Sequence, residues 1–167
     1  MNLFLLRHGL AVEPGTPGFK NDAVRPLTPK GKLQLRKIAA AMRVMELEFD
    51  MIWSSPLVRA QQTAEIVAKE LKAKEQLELV EELSPGGDAV KLIKKLRALK
   101  PAPENILLVG HEPDLSELIS GLVTGKTGAG FALKKAGLAK LELENLRAGR
   151  CATLSWLLTP GQMKAMV

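Results

Sequence analysis

The sequence predicts one α/β domain over residues 1–167, a three-layer α/β/α sandwich with a mostly parallel central sheet. Three observations predict it. Short apolar runs alternate with longer stretches whose apolar residues recur at helical spacing. Two of those stretches open on a cap residue followed by proline, Thr28-Pro29 and Ser55-Pro56. The composition, 46% hydrophobic and 25% charged, is that of a chain able to bury a core. No internal repeat or linker divides it.

The first strand is Asn2-Leu-Phe-Leu-Leu6, which stops at Arg7-His8-Gly9. The stretch to Leu27 holds Pro14, Gly15, Pro17, Gly18 and Pro26 without a sustained period, and reads as a long loop of the kind that often carries function. A first helix follows Thr28-Pro29 to about Leu47, with Leu35, Ile38, Ala39, Met42 and Met45 facing inward. Met51–Ser54 is the second strand. Ser55-Pro56 starts the second helix, whose inward stripe is Ala60, Ala64, Val67 and Leu71. Leu77–Val80 is a third strand ending near Glu81-Glu82, and Gly86-Gly87-Asp88 introduces a third helix bearing Leu92, Ile93, Leu96 and Leu99. Ile106–Val109 is the fourth strand, ending at Gly110-His111, and Pro113-Asp114 opens the fourth helix. Beyond Gly125 the runs Phe131–Leu133, Leu138–Leu143 and Ala152–Leu158 supply one or two further strands. In such a fold ligands bind at the carboxyl ends of the strands.

Charge and composition narrow the function classes. Lys and Arg exceed Asp and Glu by six, a balance compatible with nucleic acid, a membrane surface or small anions. The chain has no Tyr, four Phe and two Trp, too few aromatic platforms for a single-strand nucleic-acid binder, so no nucleic-acid partner is expected. No apolar run approaches a bilayer-spanning length, and the opening apolar residues meet Arg7-His8 before a signal-peptide core forms. A soluble, cytoplasmic protein with no membrane partner is expected. One cysteine, Cys151, and two histidines make neither a disulfide nor a dedicated zinc site, so no metal and no cofactor are expected.

Both histidines, His8 and His111, fall at predicted strand carboxyl ends. Either alone is more simply a hydrogen-bonded structural residue, but two at equivalent sheet ends are brought together by the fold. Arg7 adjoins the first. Arg59 sits in the first turn of the second helix, where the macrodipole disfavours a cation unless an anion is bound nearby; a surface salt bridge is the plainer reading. Together the four make a pocket of two guanidiniums and two imidazoles, suited to phosphate without a metal. The two guanidiniums lower the pKa of His8 and keep it neutral, and a neutral imidazole can attack phosphorus. The cations of the third helix, Lys91, Lys94, Lys95, Arg97 and Lys100, are most simply a solvated face.

Arg7-His8-Gly9 after an N-terminal strand, Ser54-Ser55-Pro56-Leu57-Val58-Arg59-Ala60-Gln61-Gln62-Thr63, and Gly110-His111 after a later strand resemble, in that order, the histidine phosphatase superfamily, also called phosphoglycerate mutase-like. Arg25-Pro26-Leu27-Thr28-Pro29-Lys30-Gly31 and Glu82-Leu83-Ser84-Pro85-Gly86-Gly87-Asp88 further resemble its SixA branch of small bacterial phosphohistidine phosphatases. The resemblance runs from Met1 to about Pro160. It implies that His8 is the phosphorylated nucleophile and that Arg7, Arg59 and His111 hold the phosphoryl group. It also implies a phosphohistidine-bearing protein, such as a histidine phosphotransfer domain, as substrate and phosphate as product. Larger members protonate the leaving oxygen with a carboxylic acid after the third strand. Glu82 is the nearest equivalent, and equally a plain loop carboxylate, since its surroundings depart from the mutase form. Arg25 is equally a substrate contact or half of a loop-to-helix salt bridge. The stretch between Glu82 and Asn105 is too short for a substrate-enclosing insertion, so an open site is expected.

Other signals carry less. Gly121-Leu-Val-Thr-Gly125-Lys126-Thr127 imitates a P-loop but has three residues between its glycines where four are needed, and follows a helix rather than a strand; it reads as a turn. No Gly-x-Ser-x-Gly elbow occurs. Cys151, in a predicted strand, and Trp53 and Trp156 read as packed residues. Three functions follow in order: a metal-independent phosphohistidine phosphatase, a phosphatase for a small phosphate ester, and a non-catalytic phosphate-binding module.

Overall fold

Along the two central strands, successive side chains enter opposite cores, as the pleat requires. In β1 (Asn2–Arg7), Phe4 and Leu6 face one core while Leu3 and Leu5 face the other; in β4 (Asn105–Gly110), Leu107 and Val109 oppose Ile106 and Leu108. Both strands are buried on both sides. The computed structural model describes all residues from Met1 to Val167 and places these strands side by side in a six-stranded sheet.

The first core is closed by α1 (Pro29–Val44), α2 (Val58–Glu70) and the short α5 (Pro160–Lys164), through Leu35, Ile38, Met42, Val67 and Met163. The second is closed by α3 (Ala89–Ala98) and α4 (Asp114–Thr124), through Leu92, Leu96, Leu115, Ile119 and Leu122. Three layers result. With β2 (Met51–Ser54), β3 (Leu77–Leu79), β5 (Leu138–Leu143) and β6 (Ala152–Leu158), the sheet order is β3-β2-β4-β1-β5-β6. The pairs β2–β3, β2–β4 and β1–β4 are parallel, whereas β1–β5 and β5–β6 are antiparallel. The sheet is therefore mixed. No helix lies between β5 and β6, and a connection without a crossover returns the chain antiparallel.

Several boundaries differ from the sequence reading. The first helix ends at Val44 rather than near Leu47, because Glu46 takes a left-handed φ of 54° that ends the helical path. Ser55-Pro56 does not cap a helix: α2 begins at Val58, and Leu57 at its cap makes no side-chain bond. Phe131–Leu133 stays out of the sheet, its Leu133 buried in the second core from a loop. Cys151 precedes β6 in a loop and is half-buried, its thiol 3.2 Å from the Arg147 carbonyl. Gly125 ends α4 at a left-handed φ of 81°, so the P-loop look-alike is a helix C-cap and turn. No helix is long and apolar enough to cross a membrane.

The start of α1 is held against the long loop. Thr28 Oγ1 accepts a hydrogen bond from Gly31 N at 3.0 Å, and Thr28 N donates to the Leu10 carbonyl at 2.9 Å. A Cβ on Gly31 would collide with that same carbonyl, which is why a glycine stands inside the helix. Within the loop, Ala11 bridges Leu27 and Asp22–Val24 form a 3-10 turn.

Candidate active site

The register that aligns Arg7 of β1 with Gly110 of β4 also aligns the residues that follow them. His8 N donates to the Gly110 carbonyl at 3.1 Å, and the rings of His8 and His111 lie 5.2 Å apart between centroids, inclined by 52°. On the other side of β4, Ser54 of β2 pairs with Val109, and the chain turns through Ser55 into α2. This delivers Arg59 to the pair: its Nε–H donates to His8 Nε2 at 3.3 Å. His8, Arg59 and His111 are 6%, 4% and 2% exposed, so three polar side chains are buried together at the strands' carboxyl ends.

Hydrogen bonding assigns the proton on His8. Its Nδ1 lies 2.8 Å from the Gly9 carbonyl, which only accepts, so Nδ1 carries the hydrogen and Nε2 keeps its lone pair. Burial lowers the pKa of His8 from 6.5 to about 4, with further lowering by the charges of Arg59, Arg7 and Lys135 against the opposing Gly9 hydrogen bond. His111 falls to about 3, through burial and then the charge of Arg59. Both rings are neutral at pH 7. The backbone behind His8 is tied to α2, since Gly9 N donates to Thr63 Oγ1 at 3.1 Å and Thr63 Oγ1 donates to the Arg59 carbonyl at 2.7 Å.

Asp22 holds Arg59. The two Nη groups of Arg59 donate to the Asp22 carbonyl and carboxylate, each at 2.9 Å, which turns the Nε edge toward His8. Burial works against the Asp22 charge, yet hydrogen bonds from Arg25 and the charge of Arg59 hold its carboxyl below the usual range. Arg25 grips the same carboxylate through Nε at 2.8 Å and Nη2 at 2.6 Å, and also bonds the Val12 carbonyl. The cation in the first turn of α2 is therefore balanced by a carboxylate of the chain itself. Asp22 went unnoticed in the sequence; its spacing of three residues before Arg25 was the available signal.

Arg7 donates through Nη1 to the Leu133 carbonyl at 2.9 Å, while its Nε is buried without an acceptor. His111 Nδ1 is likewise buried and unpartnered. Orphaned buried nitrogens are uncommon, and an N–H left without an acceptor can donate to an oxyanion. His111 Nε2 lies 2.8 Å from Ser55 Oγ, a residue that the sequence places at a helix start and in the family motif without giving it a role.

The two remaining candidates make no hydrogen bond to Arg7, His8, Arg59 or His111. Arg25 reaches the site through Asp22. Glu82 lines a small cleft with His111, Leu83 and Asp114, and its Oε2 is 2.7 Å from Lys95 Nζ. The hydrogen bond from Lys95 holds the Glu82 carboxyl below its ordinary value, so it is a carboxylate at neutral pH. No group of three or more His, Cys, Asp or Glu side chains is placed to hold a metal ion.

A family model, Histidine phosphatase superfamily (branch 1), matches residues 3–86, a span that holds Arg7, His8, Arg25, Arg59 and Glu82. The chain is 30% identical over 165 residues to the phosphohistidine phosphatase SixA of Escherichia coli (strain K12), covering 98% of this chain and 97% of that protein. It is also 38% identical over 143 residues to an uncharacterized protein of Picosynechococcus sp. (strain PCC 7002), covering 84% of each. The structure of the protein histidine phosphatase SixA complexed with tungstate superposes with a TM-score of 0.82 at 30% identity, over 96% of this chain and 98% of that one. Matched along its whole length in sequence and in fold, the chain belongs to the histidine phosphatase superfamily.

Proposed function

We propose that the chain is a phosphohistidine phosphatase that releases phosphate from a histidine of another protein through a covalent phosphohistidine at His8. The observation that carries this reading is the state of His8, with Nδ1 tied to Gly9 and the Nε2 lone pair facing the Arg59 guanidinium edge.

In the first step His8 Nε2 attacks phosphorus, and the bond from phosphorus to the substrate imidazole breaks. Its electron pair goes to the departing nitrogen, which takes a proton from solvent. In the second step a water oxygen attacks the same phosphorus, the bond to Nε2 breaks, and the water's protons pass to the phosphate product and to solvent. Arg7 and Arg59 offset charge on the phosphoryl oxygens, the term that dominates such transfers. A departing imidazole is basic enough to take its proton without a dedicated protein acid, which suits a site whose Glu82 is engaged by Lys95.

Access supports a protein substrate. Between β3 and α3 the chain forms only a 3-10 turn at Glu81–Leu83 and a short loop, with no insertion to enclose a small molecule. The relatives named for phosphohistidine support the same class. Paired assays on a phosphohistidine protein and on sugar phosphates test the proposal: kcat/KM far higher on the phosphohistidine protein is expected, and preference for an ester would move the reading to small-molecule hydrolysis. EDTA should leave the rate unchanged; inhibition reversed by a divalent ion would contradict the metal-independent mechanism.

A further inference from the structure

Ser55 stands between two strands that end in the site. Its N–H donates to the Val109 carbonyl at 2.9 Å, which seats its side chain beside the residue after Gly110. Ser55 Oγ accepts from Leu57 N at 3.3 Å and lies 2.8 Å from His111 Nε2. Ser55 and His111 are buried, at 0% and 2% exposure.

Counting protons decides the direction of that contact. A neutral imidazole has one N–H and a serine one O–H. If Nε2–H donated to Ser55, the serine proton would be buried without an acceptor and Nδ1 would be a second unsatisfied atom. If Ser55 O–H donates to Nε2, the serine is satisfied on both sides and a single orphan is left, an N–H at Nδ1. Burying fewer unpaired groups favours the second arrangement. An unpartnered N–H is also what a phosphoryl oxygen needs, whereas a lone pair there would repel it.

We propose that Ser55 is a positioning residue: by donating to Nε2 it fixes His111 as the Nδ1–H tautomer, and Nδ1–H is the donor offered to the substrate's phosphoryl oxygen. This rests on the phosphatase reading for its substrate, while the tautomer itself is independent of turnover. Both site histidines then carry their hydrogen on Nδ1, one set by the Gly9 carbonyl and one by the Ser55 hydroxyl.

The chain contains only two histidines, so nitrogen-15 NMR of histidine-labelled protein resolves each ring. In the wild-type protein His111 should show a protonated Nδ1 and a bare Nε2. Ser55→Ala should move that proton to Nε2 while His8 keeps its Nδ1–H, and should weaken inorganic phosphate binding about 10-fold or more, the size of one hydrogen bond to a charged group. Ser55→Thr, which retains the hydroxyl, should restore both signals. A His111 protonated on Nε2 in the wild-type protein overturns the proposal, and needs no variant to fold; so does a Ser55→Ala protein that keeps Nδ1–H. Failure to phosphorylate His8 with the predicted tautomer intact would instead count against the phosphatase reading.

Discussion

His8 is poised by two contacts that act on its two nitrogens separately: Gly9 takes the hydrogen of Nδ1, and Arg59 faces the lone pair of Nε2. Burial and the neighbouring cations lower its pKa to about 4, well below the ordinary histidine range, so the proposed nucleophile stays neutral over most of the acid range. The prediction is that kcat/KM, corrected for substrate ionisation, stays level through pH 6.5 and falls only as the pH approaches about 4. An acid limb near 6.5 would mean that His8 is not desolvated as described. Asp22 makes a second prediction at this scale. Asp22→Ala frees the Nη groups of Arg59, and the misaimed guanidinium should lower kcat/KM about 10-fold or more; Tm should fall as well, because the buried Arg59 loses its balancing carboxylate. His8, Arg7, Arg59 and His111 were legible in the sequence because each adjoins a strand end or a helix start. Asp22 was not, since Arg59 lies 37 positions away and only the folded loop joins them.

Elements place these residues, and their joints tolerate little change. At the start of α1 the Leu10 carbonyl occupies the space where a Gly31 side chain would begin. Gly31→Ala should therefore destabilise the protein by about 1–3 kcal/mol, overpacking outweighing the gain in helix propensity, as read from a lowered Tm. An unchanged or raised Tm would show that the loop yields. The third helix bears on Glu82 through Lys95. With that carboxylate paired rather than protonated, Glu82→Gln should leave phosphohistidine turnover within about threefold, far less than loss of a working general acid. The cap at Thr28 was readable because the cap residue and the hydrogen it accepts are neighbours in sequence. Ser55 misled for the opposite reason: a cap-like residue was recruited by a histidine 56 positions away.

For the whole molecule, the alternation of strands and helices announced the parallel half of the sheet. The antiparallel β5 and β6 were visible only as apolar runs, because the direction of a strand is settled by its connection and not by its own residues. The net charge of +6 divides in the structure: Lys91 and Lys95 of α3 are exposed, while Arg59 is buried in the site. Burying two neutral histidines has a global consequence. Unfolding exposes both rings, which then take up protons near 6.5, whereas the folded values are about 4 and about 3. The contribution is present in full above pH 6.5, and stability should decline as the pH falls from there toward the folded values, visible as a falling Tm. Inorganic phosphate should raise Tm at neutral pH by binding only the folded pocket. The most direct test of the central claim is to quench the protein during turnover of a phosphohistidine substrate and map acid-labile phosphate by mass spectrometry. The account predicts phosphate on His8, abolished in His8→Ala together with activity; turnover at the wild-type rate in His8→Ala would contradict it.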